Sequence, residues 1–199
     1  MRPLPLFLPL LLTFTSCSTD STSNADDAAS FYPLETGNRW YYSNFHYLTG
    51  YDTARLTLME CAGRTLLNGT SYAMIVRKER PYGDTAGAPF AAMDTVYYRT
   101  AGSRLYRFVR DYGLPAEMCA GDFALASGET YSFTLPDGQE WRWTVTVGRP
   151  NDDERSFSFD VPNAVDEEHT ETYRRGVGPV SIDYSYGPRW RLERFETKE

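Results

Sequence analysis

Glu140-Trp141-Arg142-Trp143-Thr144-Val145-Thr146-Val147 alternates without a break: Trp141, Trp143, Val145 and Val147 share one side, and Arg142, Thr144 and Thr146 share the other. Successive side chains of a strand point to opposite faces, so the run reads as a strand with one dry face and one wet face. Downstream, Phe157, Phe159 and Val161 alternate with Ser156, Ser158 and Asp160, and Val180, Ile182, Tyr184 and Tyr186 alternate with Ser181, Asp183 and Ser185. Three such runs imply an antiparallel sheet that is wet on one side.

Weaker runs of the same kind cover residues 40–47, 55–61, 72–80, 95–100, 104–109, 130–135, 171–175 and 190–195. Together these predict about eleven strands. Asn68-Gly69 suits a type I′ hairpin turn, Ala101-Gly102-Ser103 and Pro136-Asp137-Gly138 suit tight reversals, and Gly187-Pro188 separates the last two strands. Short connections in series predict an antiparallel all-β meander. Its apolar face must be covered by a second sheet or by closure, so a sandwich, a half-barrel and a lipocalin-like barrel all remain open. From Phe31 onward no helical apolar period is sustained, although residues 114–123 are compatible with one helical turn.

The first thirty residues have a different character. Met1-Arg2 opens a short positive start, residues 3–15 are apolar, and the small residues Thr15 and Ser16 precede Cys17. This is the layout of a secretion signal over residues 1–16. About thirteen helical residues reach only about 20 Å, short of the roughly 30 Å needed to span a bilayer core, and Pro3, Pro5 and Pro9 oppose a helix. Phe14-Thr15-Ser16-Cys17 resembles the lipobox of bacterial lipoproteins, which implies cleavage before Cys17 and acylation of that residue. The alternative is an ordinary secreted protein with a cysteine near its cut site.

Residues 18–30 contain no aromatic or branched aliphatic side chain and read as a flexible tether that, with the lipidated Cys17, occupies residues 17–30. By resemblance to lipoprotein sorting rules, Ser18 rather than Asp after the cysteine favours the outer membrane, facing the periplasm or the cell surface. Residues 31–199 are then expected to form a single all-β domain.

The chain carries a formal charge of −7. Loss of Arg2 with the leader takes the 20 basic side chains to 19 against 27 acidic ones, a net −8. Such a surface repels phosphate backbones, so nucleic acid is not an expected partner. With Cys17 lipidated, Cys61 and Cys119 remain as an even pair in an oxidising compartment, and a disulfide between them is expected. It would close a loop of roughly sixty residues and contribute about 4 kcal/mol. The alternative is two separate buried thiols.

Tyr32-Pro-Leu-Glu-Thr-Gly-Asn-Arg-Trp-Tyr-Tyr42 resembles the Y-P-L-x-x-G-N-x-W-x-Y opening of a group of uncharacterised bacterial lipoproteins. The middle segment Arg104-Leu-Tyr-Arg-Phe108, the pair Asp122-Phe123 with Gly128-Glu129-Thr130, and the closing Tyr173 to Val180, a Y-x-x-G-V-G-x-V pattern, extend that resemblance. It implies an all-β envelope lipoprotein and carries no catalytic residues with it. Physically, Gly37-Asn38 is a turn that aims Trp40 inward, and Gly176 and Gly178 supply backbone freedom between strands.

Catalytic and metal signatures are absent from the chain. The two histidines, His46 and His169, lack zinc-hydrolase spacing, and no G-x-S-x-G elbow occurs. Asp166-Glu-Glu-His-Thr-Glu171 and Asn151-Asp152-Asp153-Glu154 lack the pattern of a calcium loop and read as solvated loops. No cofactor, metal or ligand-binding residue is assigned. The aromatic run Trp40-Tyr41-Tyr42 with Phe45 and Tyr47 offers rings for core packing or for contact with sugars, peptides or proteins.

The leading expectation is a non-catalytic binding or interaction module held to a membrane by its lipid, with an envelope protein, glycan or lipid as partner. A carrier enclosing an apolar ligand is the second, and a hydrolase the third.

Overall fold

The computed structural model describes residues 27–46, 55–81, 88–110, 115–135, 142–162, 164 and 168–198. Cys17, the leader, most of the tether, Tyr47, Trp141 and the Pro136-Asp137-Gly138 turn lie outside the described residues. A short helix, α1 (Ala28–Phe31), precedes twelve strands. They are β1 (Arg39–His46), β2 (Arg55–Leu67), β3 (Thr70–Pro81), β4 (Ala91–Ala101), β5 (Arg104–Val109), β6 (Ala116–Asp122), β7 (Thr130–Thr134), β8 (Arg142–Asn151), β9 (Glu154–Asp160), β10 (His169–Arg174), β11 (Gly178–Tyr184) and β12 (Pro188–Glu196).

All twelve strands belong to one antiparallel sheet in the order β6-β5-β4-β3-β2-β1-β12-β11-β10-β9-β8-β7. It is a meander in two runs, β1 to β6 and β7 to β12, joined where the first strand pairs with the last, from Arg39↔Glu196 to His46↔Pro188. The two edges, β6 and β7, are consecutive in the chain. The sheet curls until they approach each other, giving a nearly closed barrel. The Tyr131 hydroxyl of β7 donates to the Cys119 carbonyl of β6 at 3.4 Å, so a side chain crosses the seam. Of the three closures open to the sequence, the chain adopts the barrel.

The alternation chooses the inner face. Trp143, Val145 and Val147 of β8 and Phe157 and Phe159 of β9 are buried, and they meet across the register as Val145↔Phe159 and Val147↔Phe157. The β2–β3 hairpin turns at Asn68 (φ 50) and Gly69 (φ 79), the two positive φ angles that a type I′ turn requires.

Two elements differ from expectation. Residues 116–122 form strand β6 rather than a helical turn, because pairing with β5 (Arg107↔Met118, Val109↔Ala116) overrides the helix preference of Ala, Glu and Met. The described residues begin at Asp27, inside the segment read as a tether, and residues 28–31 form α1. The Asp27 carboxylate caps α1 by accepting from the Ala29 amide, and Ala28 and Phe31 are fully buried.

Helix α1 closes one end of the barrel. The Ala28 amide donates to the Gly102 carbonyl and the Gly176 amide to the Ser30 carbonyl, while Phe31 stacks on Phe123 at 4.6 Å with the Arg175 guanidinium 4.4 Å from its ring centre. Behind this plug Tyr32, Trp40, Phe157 and Tyr173 fill the interior. Gly178, at φ 106, lies so close to Trp40 and Tyr32 that a Cβ would fall 2.9 Å from the indole nitrogen. Connections at the opposite end fall largely outside the described residues. Among the described residues no helix is long and apolar enough to cross a membrane.

Candidate functional site

Beyond the aromatic plug the lumen becomes polar, and the period of two explains how. On β10 the residues His169, Glu171 and Tyr173 share the inward face, opposite Phe159, Phe157 and Arg155 of β9. On β5 the inward positions are Leu105 and Arg107, the latter directly opposite Tyr98 of β4 and Met118 of β6. Closure of the sheet carries Arg107 across the lumen to Glu171, with Nη1 3.6 Å from Oε1. His169 Nε2 lies 3.6 Å from the same oxygen, and the Tyr173 hydroxyl donates to Oε2 at 2.6 Å.

Burial works to raise the Glu171 pKa, but hydrogen bonding from His169 and the charge of Arg107, with Tyr173 adding to them, hold the carboxyl below the ordinary carboxylate range. Burial also pushes the Tyr98 phenol up to about 12, so it is a neutral partner for Arg107 at physiological pH. The His169 ring is sandwiched between Phe159 at 4.4 Å and Tyr184 at 5.1 Å. Glu171 and His169 are thus inward groups of a strand. The expectation of a solvated loop over residues 166–171 is corrected for this half of it. Asn151 to Glu154 is, as expected, an exposed hairpin tip at its first three residues.

Where β3 and β5 end and β4 begins, a cleft of about 520 Å³ is lined by Arg77, Asp94, Val96, Arg107, Val109 and Arg110, with Tyr97 and Phe108 at its edge. Arg77 pairs with Asp94 and lies over the Trp190 ring at 5.4 Å. Its Nε is buried with no hydrogen-bond partner among the described residues. Arg110 stacks on Tyr97 at 4.8 Å and has no carboxylate partner among the described residues. Among the described residues the inward lining thus holds Arg77, Arg107 and Asp94, while Arg110 lies with Tyr97 and Phe108 on the other face of the strands.

A second concavity of about 480 Å³ lies near Asp160, Thr170, Asp183, Arg189 and Arg191. There Asp183 receives Arg191 at 2.7 Å and Arg189 at 3.8 Å, and the carboxylates of Asp160 and Glu168 lie beside them.

The expected disulfide is corrected. Cys61 and Cys119 are free thiols on β2 and β6, with β3, β4 and β5 between those strands. The Cys61 thiol points to the Leu34 carbonyl (3.6 Å) and the Cys119 thiol to the Gly121 carbonyl (3.5 Å). Burial pushes both thiols up, which makes them poor nucleophiles. Of the aromatic run, Trp40 and Tyr42 are buried, Tyr41 is half-buried and Phe45 is 39% exposed. His46 belongs to β1. Among the described residues no group of three or more His, Cys, Asp and Glu side chains is placed to hold a metal ion.

No family model matches the chain, and no curated protein matches it. Among solved structures, the chain is similar to a Bacteroides fragilis protein described as exported and as having a YmcC-like fold. Identity is 10% and the TM-score 0.45, over 84% of this chain and 99% of that one. It is also similar to a Parabacteroides distasonis protein described as a lipoprotein, with 9% identity and a TM-score of 0.40 over the same shares of the two chains.

Arg77, Asp94, Arg107 and Arg110 carry no sequence motif, and reading the strands alone does not find them. What could have flagged them is the placement of Arg77 and Arg107 at positions whose neighbours two residues away, Ile75, Leu105 and Val109, are apolar.

Proposed function

We propose that the chain is an envelope lipoprotein, acylated at Cys17 and held at the outer membrane, whose barrel acts as a non-catalytic binding module with its site in the cleft beside β3, β4 and β5. The anchor half of the reading rests on the leader over residues 1–16, on Phe14-Thr15-Ser16-Cys17, and on Ser18 in the sorting position. Two or more acyl chains hold a protein stably at about 0.8 kcal/mol per buried methylene, so the body needs no apolar patch of its own.

One observation carries the binding half: away from the aromatic plug, Arg77, Asp94 and Arg107 line a polar cleft of about 520 Å³. Its size is that of a small-molecule site. The interior beside the plug is occupied by aromatic side chains, which favours a polar cleft over an enclosed apolar cargo.

Labelled palmitate in the native host tests the anchor. Incorporation into the wild type and its loss in Cys17→Ala are expected; equal labelling of both chains sinks that half. Native mass spectrometry of the purified full chain tests the binding half. A co-purifying small molecule lost on Arg107→Lys, with the urea midpoint unchanged, is expected, and retention of the same molecule by that variant places binding elsewhere.

A further inference from the structure

We propose that the tip of the β2–β3 hairpin dips into the membrane that holds Cys17, with Leu66 and Leu67 entering the lipid and Arg64 at the head groups. This rests on the anchor at Cys17: the acyl chains hold the protein, and the hairpin sets how the barrel sits on the surface.

Leu66 is 71% exposed, the most of any large hydrophobic residue among those described, and Leu67 beside it is half-buried. The two leucines end β2 just before the Asn68-Gly69 turn. Past Ala73↔Tyr98 on one flank and Cys61 on the other, β2 and β3 pair only with each other among the described residues, as far as Leu67↔Thr70. The hairpin thus carries its apolar tip clear of the sheet. A single exposed leucine is ordinary, but two in sequence at a free tip present joined apolar surface.

The anchor leads to this same end. The Ala28 amide holds the Gly102 carbonyl in the β4–β5 turn, which neighbours the β2–β3 turn along the sheet. Ten residues lead from Cys17 to Asp27, and a random coil of that length spans about 17 Å. The opposite rim is a further strand away, about 25 Å for the eight residues of β1. Charge agrees with position. Between Glu60 and Glu79 the chain has no acidic residue, and Arg64, bonded to Ser71, has no carboxylate partner among the described residues. In a chain of formal charge −7 such a stretch suits anionic head groups, toward which an arginine extends while its stem stays in apolar surroundings. Halfway round the sheet the β8–β9 tip is the reverse, with Asp152 and Asp153 exposed and Arg175 at 4.0 Å from the second. An anionic surface draws one tip in and turns the other away, so the barrel sits tilted.

Tryptophan quenching by brominated lipid tests the contact, with the mature full chain from its host placed in vesicles of phosphatidylethanolamine and phosphatidylglycerol. In Leu66→Trp the added emission is expected to fall at least about twofold when the acyl chains carry bromine, and in Tyr186→Trp, in the β11–β12 turn at the opposite end, to stay unchanged. Both positions are more than half exposed, so both variants fold. Equal emission of Leu66→Trp in the two lipids, or equal quenching at both positions, overturns the contact. Flotation of the wild type with the vesicles reads the anchor separately. A floating chain with Leu66→Trp unquenched loses the hairpin contact and keeps the anchor, whereas a wild type that does not float loses both.

Discussion

Glu171 shows how a single side chain is made dependent on its surroundings. Its carboxylate is buried, and the partners that keep it charged come from its own strand and from β5 across the lumen. Removing one member of such a set leaves the others buried without compensation, which typically costs about 3–5 kcal/mol. Glu171→Gln should therefore destabilise the chain by about 3 kcal/mol in urea unfolding; a change within about 0.5 kcal/mol would show that Arg107 and His169 find other partners.

The pH dependence has a definite sign. Because the folded-state pKa of Glu171 lies below its unfolded value near 4.5, its contribution is full above that value and is lost as pH falls through the folded one. Wild type should lose stability on acidification through this window, and Glu171→Gln should lose less over the same interval. Parallel acid-unfolding curves for the two chains would remove Glu171 as the cause.

At the scale of elements, β6 is the informative strand. Its inner face meets β9 through Gly121, where a Cβ would sit 2.8 Å from the Phe157 ring. Phe157 cannot yield, since it is fully buried between Phe123 at 5.0 Å and Tyr173 at 5.9 Å. Gly121→Ala is accordingly expected to cost about 1–3 kcal/mol by overpacking, read from the urea midpoint. An unchanged midpoint would mean that the edge strand moves outward freely.

This strand also marks where sequence reading ends. Strands such as β8 and β9 announce themselves because one face is uniformly apolar and the other uniformly polar. In β6 the inward residues are Met118 and Ala120, small or flexible, and the outward ones include Cys119, so no alternation of polarity survives. The site was harder still to read. Arg107 and Glu171 look like residues of a wet face until closure sets β5 opposite β10, and that pairing depends on the curl of the whole sheet. Helix α1 went unseen because Ala28, Ala29 and Ser30 have the composition of a linker and become helical through the Asp27 cap and the buried Phe31.

At the scale of the molecule, tyrosines from several parts of the chain converge in one interior. Burial raises the phenols of Tyr32, Tyr42 and Tyr173 well above their ordinary value, raises that of Tyr131 as well, and pushes Tyr98 up to about 12. A group with a raised pKa contributes stability that is full below its unfolded value of 10.0 and is lost as pH climbs through the folded one. Alkaline titration followed by tyrosinate absorbance should show one set of phenols ionising near the ordinary value. A second set should appear only in a cooperative step, together with loss of the near-ultraviolet circular dichroism signal. A single smooth titration with that signal intact would contradict the packed interior.

The pairing of β1 with β12 has a consequence for the birth of the protein. Arg39 finds Glu196 only after nearly the entire polypeptide has been made, so the first strand waits, one flank bare, for the last. Neighbouring hairpins can pair as they are made, but the two halves of the sheet cannot be joined until the last strand has been synthesised.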